Sequence, residues 1–508
     1  MTVETSKQYT SQLPSSLYLA AGVRELDRIA IQEQGIAGFD LMSRAGQACF
    51  DLMRDRWPDA TRIVVFCGAG NNGGDGYIVA ALAEKAGLEA HVIQLGNTNK
   101  IQGDALTAFE FAESAGASFE PFNEELSFAG DVVVDALLGT GLNGAVRPDC
   151  AAAIEKINSS GLPVLAVDIP SGLCSDTGVV LGTAVKADCT VSFIGLKQGM
   201  FTGQAPDYVG EVVFASLSVP KVVLDQVPAD ARLVGASHVA QWLPPRSRLS
   251  HKGKNGHVLV IGGDLGMGGA VAMAAEAAGR VGCGLISVVT RPQHIASILA
   301  RRPECMVLGQ ETGGNIAPLL AKADVIVVGP GIGQQEWGKH LLRQALATNL
   351  PLVLDADGLN LLAQWRQEGL QIAKRGNWVL TPHPGEAARL AGEAQVDSQQ
   401  DRFEAVRHLQ QMYGGSVVLK GAGSLIAEQN GSVWVCHSGN PGMASGGMGD
   451  VLSGAIGGLL AQGLDLGKAA ATGVWVHAAA GDRATQQGGQ RGLLATDLMP
   501  HMRKLVNQ

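Results

Sequence analysis

A glycine-rich loop that ends on Asp450 has the residue types needed to bind and transfer a phosphoryl group. Glycines occupy positions 439, 442, 446, 447 and 449, and a helix-like apolar run follows from Val451. A glycine loop that opens a helix leaves backbone N–H groups free at the positive end of the helix dipole, which suits an anion and most often a phosphate. Asp450 could accept a proton from an attacking hydroxyl there. Alternatively, it could simply stabilise the dipole, and the loop alone favours neither interpretation.

A second polar glycine loop, residues 68–76 (GAGNNGGDG), follows the apolar run from Arg62 to Cys67. It contains GxGxxG, but the next predicted strand ends in Gln94-Leu95-Gly96 without an acidic residue, which disfavours an ordinary nicotinamide dehydrogenase. The loop also presents amide and carboxylate oxygens. Such oxygens suit ribose hydroxyls or a monovalent cation better than a bare phosphate.

Two further predicted strands of the first half run into glycine loops and end in carboxylates, at Asp135 and Asp168. Ligands of open α/β sheets bind beyond the carboxyl ends of the strands. We therefore expect Asn72, Asp135, Asp168 and Ser171 to gather at one edge of a sheet. One such aspartate is more often a turn former, but several beside glycine loops favour a binding site. Lys197, after the next strand, could meet a phosphate or be solvated.

The elements that must position these residues repeat as strand, polar loop and helix in both halves, which predicts parallel α/β sheets. In the first half the pattern predicts helix from Leu17 to Met53 and again from Tyr77 to Ala86. In the second half it predicts a helix from Ala270 to Val281 and a hairpin from Ser424 to Cys436 with a type I′ turn at Asn430-Gly431. A proline-containing connector near residues 220–240 predicts the domain boundary.

Composition excludes several classes of protein. The 508 residues carry a net charge of −9 with no basic block, so nucleic acid is not expected as a partner. No uncharged apolar run reaches the length of a membrane span, and the N-terminus lacks the pattern of a signal peptide. The eight cysteines form no CxxC pair, which argues against zinc and predicts free thiols in the cytoplasm.

Taken together, these motifs resemble two known families, and the resemblance extends over residues 15–505. The first half resembles the NAD(P)H-hydrate epimerases of the YjeF N-terminal family through GAGNNGGDG (68–76), DALLGTGLNG (135–144) and DIPSG (168–172). The second half resembles the ADP/ATP-dependent NAD(P)H-hydrate dehydratases of the ribokinase-like superfamily. The motifs of that second half are HKGKNGHVLVIGGD (251–264), GPG (329–331), LDADGLN (354–360), TPHPGE (381–386), LKGAGSLI (419–426) and GGMGDVLSG (446–454).

The resemblance implies an α/β chain of two domains. Residues 15–220 would be an epimerase domain with a Rossmann-like three-layer αβα sheet, residues 221–240 a linker, and residues 241–505 a ribokinase-like αβα dehydratase domain. The implied substrates are NADH and NADPH hydrated at C6 of the nicotinamide ring. The first domain would interconvert the R and S epimers, and the second would dehydrate the S form with ADP, giving AMP and phosphate. Implied cofactors are K⁺ in the epimerase and Mg²⁺ with the nucleotide, and we expect a homo-oligomer.

The resemblance also implies roles for individual residues. Asp168 is the first acid/base candidate of the epimerase and Lys197 the second; an open ring, an iminium ion and a transiently dehydrated ring all stay open as routes. The implied epimerase substrate positions are Asn71, Asn72, Gly73, Gly74, Asp75, Gly139, Thr140, Gly141, Leu142, Asn143, Gly144, Ala145 and Asp168. The implied K⁺ ligands are Asn72, Asp135 and Ser171.

In the second half, the implied catalytic base is Asp450, which would take the proton of the C6 hydroxyl during phosphorylation. The neighbouring motifs at Lys420–Ser424 and Thr381–His383 favour this role over simple dipole stabilisation. Ala270, Gly331, His383 and Asp450 are the implied hydrate positions. Lys420, Gly421, Ala422, Gly423, Ser424 and Gly449 are the implied nucleotide positions. Met448 stands where the family usually has threonine, which removes a hydroxyl but keeps the backbone N–H.

Two rival interpretations use the same residues differently. The ribokinase-like half could be a small-metabolite kinase, because Asp450 would perform the same proton transfer on another hydroxyl. The first half could be a non-catalytic binding module. The presence of Asp135 and Asp168 and the lack of a basic face argue against that module.

Overall fold

A computed structural model describes residues 7–142, 144–370, 372–392 and 399–507. The chain divides into two compact units, Met1–Arg232 and Leu233–Gln508. The division falls within the segment predicted as a linker. That segment contains a helix at Lys221–Leu224, a strand at Ala231–Leu233 and the start of a helix at Ala236–Trp242, so much of it has regular secondary structure.

The first unit alternates strands and helices along most of its length. Its strands are β1 (Ser16–Tyr18), β2 (Arg62–Cys67), β3 (Glu89–Gln94), β4 (Ser118–Pro121), β5 (Val132–Ala136), β6 (Val164–Val167), β7 (Cys189–Phe193), β8 (Leu196–Lys197), β9 (Glu211–Ala215) and β10 (Ala231–Leu233, which crosses the boundary). Its helices are α1 (Ala20–Gln32), α2 (Gly38–Arg56), α3 (Asn71–Lys85), α4 (Asp104–Ala115), α5 (Pro148–Ser159) and α6 (Lys221–Leu224), with 3-10 turns at Thr98–Lys100, Gln198–Phe201 and Ala205–Asp207.

The main sheet of this unit has the order β4-β3-β2-β5-β6-β7-β9, and every neighbouring pair is parallel. Cys67 at the end of β2 is in register with Gln94 of β3 and Ala136 of β5. The loops that follow these strands therefore leave from one edge, as the strand-end carboxylates predicted. The central strands β2, β5, β6 and β7 are almost wholly buried, because helices cover a parallel sheet on both faces, whereas the edge strand β4 is partly exposed.

Two helix predictions in this unit were wrong in their bounds. The pattern from Leu17 to Met53 is two helices, α1 and α2, separated at Gly35, which has φ +69°. Helix α3 begins at Asn71, not at Tyr77, so glycines predicted as loop lie in its first turns. A Cβ on Gly73 would lie 1.9 Å from the Gly68 carbonyl oxygen, so this glycine lets α3 pack closely on the loop that follows β2.

The second unit follows the same alternation. Its strands are β11 (His257–Ile261), β12 (Leu285–Thr290), β13 (Met306–Gly309), β14 (Val325–Val328), β15 (Leu352–Leu354), β16 (Trp378–Leu380), β17 (Ser416–Leu419), β18 (Ser424–Ala427) and β19 (Val433–Cys436). Its helices are α7 (Ala236–Trp242), α8 (Gly268–Arg280), α9 (Ile295–Arg301), α10 (Ala317–Leu320), α11 (Glu336–Leu346), α12 (Asp357–Gln367), α13 (Pro384–Ala391), α14 (Arg402–Tyr413), α15 (Met448–Ala461), α16 (Leu466–Gly488) and α17 (Leu498–Leu505), with 3-10 turns at Pro292–His294, Pro441–Met443 and Ala495–Asp497.

These strands form the sheet order β13-β12-β11-β14-β15-β16-β17-β18-β19, parallel as far as β17 and antiparallel through β18 and β19. The hairpin of β18 and β19 is present, but its predicted type I′ turn is wrong. A type I′ turn needs positive φ at both central residues. Here Gly431 has φ +88°, whereas Asn430 is not among the residues with positive φ.

Helix α15 carries the predicted phosphate loop at its N-terminus and packs tightly on α8. A Cβ on Gly454 would lie 2.0 Å from the Ala274 carbonyl oxygen, and one on Gly458 would lie 2.6 Å from that of Ala278. The two glycines face the same helix because they are four residues apart. Their missing side chains let α15 approach the backbone of α8 and so fix the position of the loop.

Replacing Gly454 with alanine should lower the free energy of unfolding of the second unit by about 1–3 kcal/mol, because the added methyl group overlaps the backbone of α8. Thermal or urea unfolding would measure the loss. Gly488→Ala is the matched control, since a Cβ there meets nothing within 4 Å. Equal unfolding midpoints for the two variants would contradict the close helix packing.

Among the helices that the structure describes, none combines the length and the apolar character needed to cross a bilayer.

Candidate functional site

The first unit contains a cavity of about 990 Å³ at the edge where β2, β5 and β6 end. Nine of the predicted epimerase substrate residues lie on its wall: Asn71, Asn72, Asp75, Gly139, Thr140, Gly141, Leu142, Ala145 and Asp168. Gly73 and Gly74 are instead buried inside α3, where a Cβ on Gly74 would overlap Met42. Gly144 is exposed beside the cavity with φ +80°, and Asn143 lies outside the described residues.

Asp135 and Ser171, two of the three predicted K⁺ ligands, bond directly to each other. Ser171 Oγ donates to Asp135 Oδ1 over 2.6 Å, and its backbone N–H donates to Oδ2 over 2.8 Å. Both residues are fully buried, and burial raises the pKa of Asp135 to about 6. Within the described part of the chain Asp135 makes no ion pair, so a cation bound beside it would compensate a buried charge.

Asn72, the third predicted ligand, lies in the first turn of α3. A Cβ on Gly139 would be 3.5 Å from Asn72 Oδ1, so the amide group lies against the loop after β5. Its Nδ2 is buried with no hydrogen-bond partner. An orphaned amide nitrogen is the signal expected when the amide oxygen should occupy that place, facing a cation. These observations fit a monovalent cation held by oxygen ligands.

Asp168 occupies a strained position at the end of β6. Its φ of +67° is unusual for a residue with a side chain, and such strain concentrates at functional sites. Its carboxylate forms an ion pair with Lys197, which is fully buried. Lys197 Nζ also donates to Ser192 Oγ over 3.1 Å. The two sequence-based alternatives, a solvated lysine and a lysine that binds phosphate, are therefore both wrong. Lys197 is buried and paired with Asp168.

Asp27 and Asp75 also place carboxylates on the wall of this cavity. Asp27 on α1 has a pKa raised to about 6 by burial, with Asp168 adding to the rise and Lys197 opposing it. Burial, together with Asp168 and Asp27, raises the pKa of Asp75 well above its usual value. Sequence reasoning missed Asp27, because it lies in an amphipathic helix with no motif around it.

The second unit places Asp450 in the first turn of α15, which begins at Met448, so the glycine loop ends before Asp450 and not on it as predicted. Burial raises the pKa of Asp450 to about 7, with Asp355 adding to the rise and Lys420 opposing it. Lys420 Nζ forms an ion pair with Asp355 Oδ1 over 2.8 Å. A Cβ on Gly449 would lie 3.3 Å from Lys420 Nζ and 3.4 Å from Asp355 Oδ2, so this glycine keeps the cluster close to the helix N-terminus.

The Lys420 side chain therefore faces carboxylates, not only the predicted nucleotide loop. In the residues that follow Lys420 in this loop, Gly421 and Ala422 are exposed. Ser424 Oγ donates to the Gly421 carbonyl over 3.1 Å. Arg402 donates to the Lys420 carbonyl over 3.3 Å. The arginine thus holds the backbone while the loop surface stays open.

His383 caps α13 and is half exposed. Its Nδ1 accepts from the backbone N–H groups of Gly385 and Glu386, over 3.0 and 3.3 Å. Glu386 in turn accepts from the His383 backbone N–H over 2.8 Å and lies 3.8 Å from Lys420 Nζ. Burial and the neighbouring cations lower the pKa of His383, so its ring stays neutral near pH 7.

The other two predicted hydrate residues, Ala270 and Gly331, lie side by side. A Cβ on Gly331 would be 3.2 Å from the Ala270 Cβ and 2.7 Å from that of Met267. Gly331 has φ +60°, and its carbonyl accepts from the Asp264 backbone N–H over 2.7 Å. The loops after β11 and β14 thus meet at the same sheet edge as β15 and β16.

Comparison with known proteins finds one family match within each of the two units. Residues 38–199 match the family described as YjeF-related protein N-terminus, and residues 258–504 match the family described as NAD(P)H-hydrate dehydratase. The chain is 50% identical over 491 residues to the bifunctional NAD(P)H-hydrate repair enzyme Nnr of Coxiella burnetii, covering 97% of this chain and 99% of that protein.

The chain belongs to the bifunctional NAD(P)H-hydrate repair enzymes. The member of this family from Escherichia coli is 43% identical over 507 residues, which cover 100% of this chain and 97% of that protein. Among solved structures, a ribokinase-like superfamily protein from Enterococcus faecalis is 29% identical, with a TM-score of 0.50, and covers 55% of this chain and 96% of that one. The expected α/β architecture of two domains is confirmed.

Besides Asp27, sequence reasoning about this repair enzyme missed Asp355 and Glu386 as site residues. Both lie in motifs that carried the family resemblance, LDADGLN and TPHPGE. The signal was present, since each follows a strand of the parallel sheet. Their role appears only when Lys420 is seen to lie between them.

Proposed function

We propose that the first unit interconverts the R and S hydrates of NADH and NADPH and that the second dehydrates the S form with ADP, giving AMP and phosphate. Membership of the family supports this pair of activities. The observation that carries it is the partly buried Asp450, with a pKa near 7, at the N-terminus of a glycine-rich helix beside Lys420.

In the second unit Asp450 acts as a general base. It takes the proton of the C6 hydroxyl while the hydroxyl oxygen attacks the terminal phosphoryl group of ADP, which releases AMP. The free N–H groups at the start of α15 stabilise the charge on the transferring phosphoryl. Phosphate then leaves as the ring nitrogen supplies its electron pair, and loss of the C5 proton restores the double bond.

Mg²⁺ is proposed as the companion of the nucleotide phosphates. In nucleotide sites, the ligands of Mg²⁺ are usually one or two carboxylates together with phosphate oxygens, and the protein does not supply the whole coordination shell. Within the described residues, no group of three or more His, Cys, Asp and Glu side chains could hold a metal ion. We therefore propose that Mg²⁺ arrives bound to ADP and neutralises the charge of its phosphates.

In the first unit Asp168 serves as the acid/base residue, and Lys197 holds it in place through the buried ion pair. K⁺ is proposed at Asn72, Asp135 and Ser171. There it would supply a fixed positive charge next to the substrate loop that begins at Gly139. The buried carboxylate of Asp135 and the orphaned amide of Asn72 support this proposal.

Removing the Asp135 charge should abolish stabilisation by K⁺. We expect K⁺ to raise the melting temperature of the wild-type chain, because an ion that binds only the folded state stabilises it by mass action. Asp135→Asn should melt at the same temperature with K⁺ and with tetramethylammonium. Asp131→Asn, which alters an exposed carboxylate bonded to Thr61, is the control and should keep the K⁺ response. An unchanged K⁺ response in Asp135→Asn would contradict the assignment.

The decisive assay supplies purified R hydrate of NADH with ADP, and separately with ATP. Recovery of NADH absorbance requires both units, since the R form must first be epimerised. A stable phosphorylated product without NADH recovery would instead indicate a small-metabolite kinase. Recovery from the S form alone would indicate that the first unit is not an epimerase.

The proposal includes a homo-oligomer that works in the cytoplasm. All eight cysteines are free, and six are buried, as suits a reducing compartment. Light scattering after size-exclusion chromatography would determine the number of subunits, and cell fractionation would locate the protein.

A further inference from the structure

Two elements fix the glycine loop of the second unit, residues 439–447, at its two ends. At its exit, Gly447 leads into α15 and lies against α8, where a Cβ would be 2.5 Å from Met273 Cε. At its entry, Gly439 lies against α16, where a Cβ would be 3.7 Å from that of Ala478. The N–H groups at the start of α15 therefore depend on two supports for their position.

The support at the entry is polar and comes from Asp482 of α16. Its Oδ2 accepts from the Gly439 backbone N–H over 2.9 Å. Its Oδ1 accepts from Asn440 Nδ2 over 2.8 Å. One carboxylate thus bonds to two successive loop residues, and hydrogen bonds to a charged acceptor are the stronger kind.

The orientation of Asn440 makes a carboxylate necessary at position 482. Asn440 Oδ1 accepts from the Gly442 backbone N–H over 3.0 Å, so its Nδ2 is the group that faces Asp482. Both loop partners of Asp482 are therefore donors, and an ionised carboxylate offers acceptors only. An amide at position 482 would turn its own NH₂ group toward one of these donors.

The same stretch of α16 also accommodates an apolar residue of the loop. A Cβ on Gly481 would be 2.5 Å from Met443 Sδ, so the glycine beside Asp482 leaves space for this side chain. The loop needs such support, because the glycines at 439, 442, 446 and 447 give its backbone unusual conformational freedom. Donors stabilise a transferring phosphoryl group best when they are held in place before the reaction.

We propose that Asp482 is a positioning residue of the phosphoryl transfer. Its carboxylate fixes the entry of the glycine loop, so that the N–H groups at the start of α15 are in place when the terminal phosphoryl group of ADP is transferred. This inference rests on the proposed dehydratase activity and deepens it. Asp482 acts through the loop and exchanges no proton with the substrate, which distinguishes its role from that of Asp450.

Asp482→Asn should reduce kcat of ADP-dependent dehydration of the S hydrate by about 10- to 100-fold, because a catalytic group displaced by about 1 Å can lose about 100-fold in rate. KM for ADP should change by less than about threefold, since the N–H groups stabilise the transition state more than bound ADP. Recovery of NADH absorbance measures both constants. Gln486→Ala alters an exposed residue of the same helix and should match the wild type.

A pair of exchanged substitutions tests the contact itself. Asn440→Asp alone should also lower kcat, because it places two carboxylates face to face. Combining it with Asp482→Asn restores every hydrogen bond. The carboxylate at position 440 then accepts from Gly442 and from the amide at position 482, whose oxygen accepts from Gly439. The double variant should recover kcat to within about threefold of the wild type, and this non-additivity identifies a direct contact.

The pH dependence of kcat/KM separates positioning from proton transfer. Asp450 is intact in Asp482→Asn, so the increase of kcat/KM with pH should persist in this variant at a lower absolute rate. A general base behaves differently, because its removal abolishes the pH dependence together with the rate. Loss of the pH dependence in Asp482→Asn would therefore overturn the positioning role.

Other results would also overturn the inference. One is a kcat of Asp482→Asn within about threefold of the wild type, a margin too small for a displaced catalytic loop. Another is a raised KM for ADP with unchanged kcat, which would indicate ground-state binding. If Asp482→Asn lowers the melting temperature strongly, the double variant decides. Recovery of melting temperature and kcat together supports the inference, and recovery of melting temperature alone overturns it. A wild type that does not dehydrate the S hydrate with ADP would overturn the proposed function itself.

Discussion

Asp450→Asn should reduce ADP-dependent dehydration of the S hydrate by about 10²- to 10⁴-fold, the range that general-base catalysis contributes. Asparagine has the shape of aspartate but cannot accept the hydroxyl proton, so phosphorylation loses its base. Recovery of NADH absorbance from purified S hydrate measures the effect. Glu336→Gln, an exposed carboxylate of the same unit, is the control and should leave the rate unchanged.

The same residue should give the wild type its pH dependence. A base must be ionised to act, and burial raises the pKa of Asp450 to about 7. The value of kcat/KM should therefore increase about tenfold per pH unit below this pKa and level off above it. In Asp450→Asn this limb should disappear. A persistent limb, or a loss of less than about tenfold in rate, would show that another group is the base.

Asp168→Asn should slow R/S exchange by about 10²- to 10⁴-fold, because the carboxylate that moves the proton is removed. It should also destabilise the first unit, since Lys197 would be left buried without its paired carboxylate. Exchange is followed by chromatography and stability by thermal unfolding. Dehydration of the S hydrate by the second unit should be unchanged.

A double variant separates the two effects of this substitution. Asp168→Asn with Lys197→Met removes both charges and should recover melting temperature without recovering exchange. A single variant that still exchanges the epimers at nearly the wild-type rate would remove Asp168 from the mechanism. A double variant that recovers exchange would show that Asp168 serves only to neutralise the lysine.

The sequence predicted the parts of this molecule that depend on short stretches of chain. The buried strands are continuous apolar runs, and they end at the polar motifs that line the site. The N-terminal position of Asp450 on α15 followed from the glycines before it and the apolar residues after it. Both families were recognisable because motifs such as 68–76 and 446–454 need particular residues at each position to approach a ligand.

The assignment of glycines to loops or helices depended on packing across the fold. Gly73 was predicted in a loop, yet it lies in α3 against the backbone of Gly68. Local propensity cannot distinguish these cases, because glycine is favoured wherever two backbones approach closely, whether in a turn or in a helix. Gly454 is a second example, because a glycine is needed at this position of α15 only where the helix touches the backbone of α8.

The partners of the charged groups required the tertiary structure. Lys197 could be solvated or bind a phosphate until the fold placed it in a buried ion pair with Asp168. Asp27, 141 positions before Asp168 in the chain (168 minus 27), has no motif around it, and it reaches the cavity only because α1 packs against β8, the strand that ends on Lys197. The sequence of this repair enzyme thus specifies which side chains are available and which local turns they form. The fold decides which of them lose water and share a site, because burial and electrostatic coupling arise between residues that are distant in the chain.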